Sequence, residues 1–492
     1  MLKQRHLFAR RFYGSAFSFL GFVASVLWFF VGITWALAEP VRVAVIDAPV
    51  DYDNPDIAAF LDRETLNRIV VGQTREGRQV TLDELNRLAM KEFERGLEEG
   101  RYREQVRALD LLTRINSGHR PNTEESEFLS RIRVKMMVSP SYRRQLNALG
   151  TYLHGTHVAG LVLDAHAPEK VQLVSFPYIR ASGQALPARR TGVGARLTAP
   201  FRRFVGSFLQ GLAATVTPPH VYEEQLRESS RAQFAALTQM LQQGRVRVAN
   251  MSVGFAVSMI LERTLKEMGL INRLLFGRGM ERLIRTAIRI QAEELGRFFA
   301  DNPETIFVVA AGNDAVDVAK PGDHHSAAVG APNVVNVAAT DYNGRLADFS
   351  NTSNTELEIA APGVAIRSVL AGARQPGARV HMSGTSMATP IVTNRIVQIL
   401  VENPGYTVQE AIAALFQDQS AMVADLRGAV RDGRWLLPRG LAGSRTDVIV
   451  SISGVNHEIY FDRSQCERAL SVSEDGTRIE PRPVPGVQKP AA

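Results

Sequence analysis

Five short apolar runs, at 41–47, 171–176, 246–251, 305–311 and 334–339, are separated by helix-prone sequence, and this alternation constrains the fold more than any other feature of the chain. The first, Val41-Arg42-Val43-Ala44-Val45-Ile46, is rich in β-branched residues and stops at Asp47. Near-continuous apolar runs of this length read as strands buried on both faces. Strands that alternate with helices pair in parallel and are covered by helices above and below. The expectation is an α/β fold of three layers, α/β/α, with a mostly parallel sheet. Helix-prone stretches at 221–243 and 256–300 supply crossovers, the second long enough to include an elaboration. Residues 63–150 change character: they are charged, with apolar residues at helical spacing, and read as several short helices inserted into the sheet domain.

The two ends of the chain differ from its middle. Lys3, Arg5, Arg10 and Arg11 precede the uncharged run Phe12–Ala38, which is long enough to span a bilayer. That run ends in Ala36-Leu37-Ala38, a small-x-small site suited to signal peptidase. Residues 1–38 are therefore expected to be a signal peptide or, if uncleaved, an N-terminal anchor, with the folded part outside the cytoplasm, secreted or periplasmic. The first strand starts three residues beyond that site, so no propeptide is expected between them. The chain carries 57 basic and 50 acidic residues, and 53 against 50 without the four leader cations, which gives no case for a nucleic-acid partner. A membrane is expected as a partner only through the leader. One cysteine, Cys466, excludes a disulfide framework and a multi-cysteine zinc site. The main α/β domain is expected over 39–440, a short β extension over 441–472, and a disordered Pro-rich tail over 473–492.

Four segments carry residues suited to acyl transfer. They are Ala44-Val45-Ile46-Asp47, Leu153-His154-Gly155-Thr156-His157-Val158-Ala159-Gly160, Phe307-Val308-Val309-Ala310-Ala311-Gly312-Asn313, and Met382-Ser383-Gly384-Thr385-Ser386-Met387-Ala388-Thr389-Pro390. A serine hydroxyl is a weak nucleophile and needs an adjacent base. A neutral imidazole is such a base, and a carboxylate fixes its tautomer and stabilises the imidazolium. The developing oxyanion needs preset donors. Ser386, His154, Asp47 and Asn313 supply the four groups, each at a strand end or beside a glycine-flanked helix start. Taken singly they have plainer readings: Asp47 as a strand-end cap, Ser383 and Ser386 as helix N-caps, Asn313 in a Gly-Asn turn. His154 and His157 have the spacing of a metal pair, but no HExxH motif or cysteine set completes it, and no metal is assigned.

Together these motifs resemble the subtilisin-like serine peptidases, the subtilases. HGTHVAG and SGTSMATP stand almost as the family signatures, and the order Asp, His, Asn, Ser is the family's order. Asn250-Met251-Ser252-Val253-Gly254, Asp348-Phe349-Ser350-Asn351 and Ala360-Ala361-Pro362-Gly363-Val364 add further matches. The resemblance covers about 41–60, 148–180, 244–256 and 303–420. It implies a serine endopeptidase acting on proteins or peptides through an acyl-enzyme. Asp47, His154 and Ser386 would be catalytic, Asn313 would line the oxyanion hole, and Ser252, Val253 and Gly254 would bind substrate. Ser386 would open a helix running from about 386 to 402, and His157 would pack rather than react. No cofactor is required for that chemistry. The resemblance leaves structural calcium open at the Asp51, Asp53 and Asp56 loop, whose spacing fits no EF-hand and which is read as solvated. His324 and His325 are read as surface residues.

The chain departs from the family in four places. Ala48-Pro49 follow Asp47 where a hydroxyl residue and a glycine are usual, so Asp47 loses a side-chain donor. Phe255 stands where many relatives have a second glycine, and would narrow the groove. The gap of 107 positions from Asp47 to His154 exceeds that of compact relatives. No propeptide is expected in its usual place. Residues 63–150 are read first as a solvated helical decoration, with a lid over the groove as the functional alternative. Two other classes of function stay open: a peptide acyltransferase or cyclase on the same triad, and a catalytically impaired binding module on the same scaffold.

Overall fold

The computed structural model describes residues 39–74, 77–94, 101–179, 219–252, 270–319, 328–342 and 344–417, together with four strands between 447 and 482. The expected leader, Val253, Gly254, Phe255, His324, His325 and Cys466 lie outside the described residues.

The apolar runs form one six-stranded sheet. Its strands are β1 (Val41–Asp47), β4 (Val171–Pro177), β5 (Val248–Met251), β6 (Ile306–Ala310), β7 (Val334–Thr340) and β8 (Ile359–Pro362), in the spatial order β4-β1-β5-β6-β7-β8. Every neighbouring pair is parallel. Every residue of β5, β6, β7 and β8 is buried, so the absence of a polar alternation in the sequence has a direct cause: neither face meets water.

Helices cover the sheet. One layer holds α6 (Pro140–Leu163) and α9 (Thr385–Glu402), which pack on each other and on the strands. The other holds α7 (Pro219–Gln243) and α8 (Leu270–Ala300), with Phe234, Phe298, Phe299 and Phe307 in one aromatic cluster at ring separations of 4.8–5.8 Å. Aromatic contacts of this kind add to the burial of apolar area that holds the layers together. Helix α10 (Val408–Gln417) packs against α9. The α/β/α fold class is thus the one the alternation requires.

The segment after β1 is richer in structure than a set of short helices. Helices α1 (Pro55–Ala58) and α2 (Arg63–Arg68) precede an antiparallel hairpin of β2 (Val70–Gln73) and β3 (Gln79–Thr81). Then come α3 (Leu82–Glu94), α4 (Tyr102–Asn116) and α5 (Thr123–Val138). Asn122 and Glu125 form a capping box at the start of α5. Ser139 caps α6 by accepting the Tyr142 N–H, and Pro140 occupies its first turn. Helix α6 runs without interruption into the histidine motif. A second antiparallel hairpin, β9 (Ile366–Val369) with β10 (Arg379–Met382), precedes α9.

Four further strands lie near the end of the chain. Strand β11 (Asp447–Ile452) pairs with β12 (Val455–Tyr460), and β13 (Ala469–Val472) pairs with β14 (Ile479–Arg482). A two-stranded ladder has one free edge per strand, which tolerates Pro481.

Candidate active site

The sheet order reverses at β1. The chain passes from β1 to β4 on one side, then returns to β5 on the other and continues outward. Crevices form at the carboxyl ends of strands at such a reversal. Asp47 is the last residue of β1, and Ser252 follows the last residue of β5.

Asp47 is fully buried and meets His154 of α6, with Nδ1 2.6 Å from Oδ1. A ring nitrogen facing a carboxylate carries the proton, so Nε2 is left as the basic atom. The close approach depends on Gly155. A Cβ there would lie 2.1 Å from the Ala48 carbonyl oxygen, so only glycine lets α6 sit against the loop that leaves β1. That loop, Ala48-Pro49-Val50, is buried. The Ala48 backbone N–H donates to Oδ1 of Asp47, while Oδ2 is buried and takes no hydrogen bond from the described residues. A backbone donor therefore stands where the sequence lacks a hydroxyl. Burial lowers the basicity of His154, but the charge of Asp47 and the hydrogen bond to it outweigh burial and hold the imidazole above its ordinary pKa.

Ser386 lies in the first turn of α9, after Gly384 at φ +155°. The first backbone N–H groups of a helix have no partner inside it. Asn313, just beyond β6, takes one of them: its Oδ1 accepts the Thr385 N–H at 2.8 Å and the Thr385 hydroxyl at 3.1 Å. With Oδ1 so engaged, the amide's Nδ2 is the remaining donor, on a side chain exposed at the helix mouth. Gly363 allows this packing, because a Cβ on it would come within 2.7 Å of the Gly384 carbonyl oxygen.

A chain of hydrogen bonds fixes Ser386 from below. Its hydroxyl donates to the Ser252 carbonyl at 3.2 Å, and the Ser252 hydroxyl donates to the Ser386 carbonyl at 3.0 Å. Asn250 Nδ2 donates to the Ser252 hydroxyl at 2.9 Å, and Thr393 donates to Asn250 Oδ1 at 3.0 Å. Pro390 explains why the Ser386 carbonyl takes a side-chain donor. It stands four residues on, where a helix would offer an N–H, and proline has none. Thr393 was not singled out from the sequence, and Asn250 and Pro390 stood within quoted motifs without this supporting role. A proline placed one turn after a serine was the signal present.

Other expected residues fall as follows. His157 is fully buried, and its Nε2 donates to the carbonyls of Ile366 at 3.0 Å and Val380 at 3.1 Å. Burial, with the nearby His154, lowers its pKa to about 3, so it is neutral packing between α6 and the β9–β10 hairpin. Asp51, Asp53 and Asp56 diverge instead of forming a solvated cluster. Asp51 is buried, accepting the Gly372 N–H at 2.7 Å and lying 3.3 Å from Arg374. Asp56 pairs with Arg379 at 2.6 Å, and exposed Asp53 lies 3.5 Å from Arg63. Among the described residues no three His, Cys, Asp or Glu side chains converge as metal ligands.

The subtilase family model matches residues 39–433. The chain belongs to the subtilase family. Among curated subtilases it is 40% identical over 108 residues to the thermostable alkaline protease of Halalkalibacterium halodurans, covering 22% of this chain and 27% of that one. It is 35% identical over 126 residues to alkaline protease 1 of Aspergillus clavatus, covering 25% and 28%. The matches thus span about a quarter of the length of these two relatives. A cold-adapted subtilisin-like serine proteinase superposes with a TM-score of 0.39 and 17% identity, over 82% of this chain and 89% of the other.

Proposed function

We infer that this subtilase is a serine endopeptidase in which Asp47, His154 and Ser386 form the triad and Asn313 supplies an oxyanion donor. The observation that carries this reading is the 2.6 Å contact between Asp47 and His154 Nδ1, which leaves Nε2 as the basic atom of the ring.

The Ser386 hydroxyl turns from the Ser252 carbonyl to His154 and attacks the scissile carbonyl as Nε2 takes its proton. Asp47 holds the ring and stabilises the imidazolium. The carbonyl oxygen becomes an oxyanion that Asn313 Nδ2 and the Ser386 N–H receive, aided by the positive end of α9. His154 returns the proton to the leaving amine, and water then hydrolyses the acyl-enzyme. Substrates are proteins or peptides, which Ser252, Val253 and Gly254 bind. The chemistry draws on these side chains without a cofactor.

The uncharged run 12–38 supports an extracytoplasmic location. Among the described residues no helix is long and apolar enough to cross a membrane. Labelling of purified protein by a fluorophosphonate tests the assignment. Wild type takes the label and Ser386→Ala does not; a folded wild type that stays unlabelled removes the proposal.

A further inference from the structure

The segment between Asp47 and His154 touches the chain beside each of the three triad residues. On the Asp47 side, Asn86 of α3 is fully buried and pairs with both backbone groups of one loop residue: its Oδ1 accepts the Val50 N–H at 3.0 Å and its Nδ2 donates to the Val50 carbonyl at 2.8 Å. On the His154 side, the helix is continuous with the segment, since α6 begins at Pro140. On the Ser386 side, Asp110 of α4 accepts both the backbone N–H and the Nδ1 of His381, each at 2.8 Å. His381 lies in β10, five residues before Ser386.

The Asp110 contact is braced from behind. Arg114 Nε donates to Asp110 Oδ2 at 3.1 Å, and its Nη2 donates to Glu125 of α5 at 3.0 Å. The Tyr102 hydroxyl of the same helix donates to the Ala371 carbonyl in the β9–β10 turn. Between these polar ties lies an apolar cluster of Met90, Leu149, Tyr152, Leu153, Ala371 and Val380, drawn from α3, α6 and the hairpin. Leu153 is the immediate neighbour of His154. A solvated decoration would not bury side chains against the strand that delivers the nucleophile.

The geometry points to Asp110 as a positioning residue of the active site, which through His381 and β10 sets where Ser386 stands relative to His154. The inference rests on the triad reading above. It makes the segment a clamp across the Asp–His and serine halves of the site rather than an appendage. Reacting groups tolerate little displacement, and a shift of about 1 Å at a distance from the chemistry lowers rates by about 10²-fold.

The test compares Asp110→Ala, Asp110→Asn and His381→Ala with Leu111→Ala in the full chain. Leu111 is buried between α4 and α5, away from β10, and its truncation loosens the segment without touching His381. The expected result is a fall of about 10- to 100-fold in kcat and in fluorophosphonate labelling for Asp110→Ala, with KM changed far less. Asp110→Asn, which keeps an acceptor for the His381 N–H, recovers most of the rate. Leu111→Ala lowers the melting temperature and leaves kcat alone well below it. Combining Asp110→Ala with His381→Ala costs no more than either alone. If Asp110→Ala does not fold, His381→Ala carries the same comparison. Hydrogen exchange of 379–390 separates this inference from the triad reading. If wild type never labels, the triad reading fails, and faster exchange of that stretch in Asp110→Ala but not in Leu111→Ala still supports the clamp. Unchanged kcat and unchanged exchange, or losses that track melting temperature equally in Asp110→Ala and Leu111→Ala, overturn it.

Discussion

At His154 burial and the Asp47 carboxylate act in opposite directions, and the carboxylate prevails. Only the neutral ring can take the serine proton, so kcat/KM should rise with pH through an inflection above the ordinary histidine value of about 6.5. A pH–rate profile with its acid limb well below 6 would show that burial wins instead. Asn313 supports a second prediction at this scale. Asn313→Leu removes the Nδ2 donor and also frees the Thr385 N–H, so turnover should fall by about 10²–10³-fold, the loss known for this donor in subtilisin, itself a family member. Peptide hydrolysis kinetics check it, and a change in KM alone would contradict the oxyanion role. The proposed site residues could be picked out from the sequence because each sits in a short motif whose residue types match one chemical task. The Asn250–Thr393 support was not legible, because its members are 143 positions apart and each is an ordinary polar residue by itself.

Secondary-structure elements were legible wherever period and burial agreed. The sheet strands matched their apolar runs because both faces are covered, and α9 began at the glycine-flanked serine as expected. Helix α6 was less legible. Ser139-Pro140 is a start signal, but Gly150, Gly155 and Gly160 along the same stretch read as breaks. The structure gives two of those glycines a packing cause: Gly155 faces the Ala48 carbonyl, and a Cβ at Gly160 would lie 2.5 Å from a Val369 methyl. At Gly155 the obstacle is backbone, which cannot rotate aside. Gly155→Ala should therefore push α6 from β1, lengthen the Asp47–His154 contact and abolish labelling of Ser386, with a lowered melting temperature. Gly150→Ala meets no atom within 4 Å and should stabilise α6 by up to about 1 kcal/mol, as alanine exceeds glycine in helix propensity. Thermal unfolding of the two variants, measured together, distinguishes close approach from mere helix weakening.

For the whole molecule, the sequence showed one sheet domain and a long inserted segment, but not that the two share their interior. His157 lies at that junction, fully buried, neutral, and bonded to both strands of the hairpin that the insertion grips. Its folded pKa of about 3 lies below the ordinary value, so the unfolded chain binds a proton first as pH falls. The stability it contributes is complete above about pH 6.5 and declines as pH falls toward about 3. Between pH 7 and pH 5 that loss amounts to about 2 kcal/mol. His154 has the opposite sign. Its raised pKa gives stability that is full below about pH 6.5 and lost as pH climbs through the folded value, so the wild-type curve alone mixes the two. His157→Gln separates them, because the amide keeps a donor for the Ile366 and Val380 carbonyls and does not titrate. Urea unfolding at pH 7 and pH 5 should show wild type losing about 2 kcal/mol more than His157→Gln over that interval. Equal losses in the two proteins would mean that the junction opens to water before the domain unfolds, so that the insertion and the sheet do not melt as one unit.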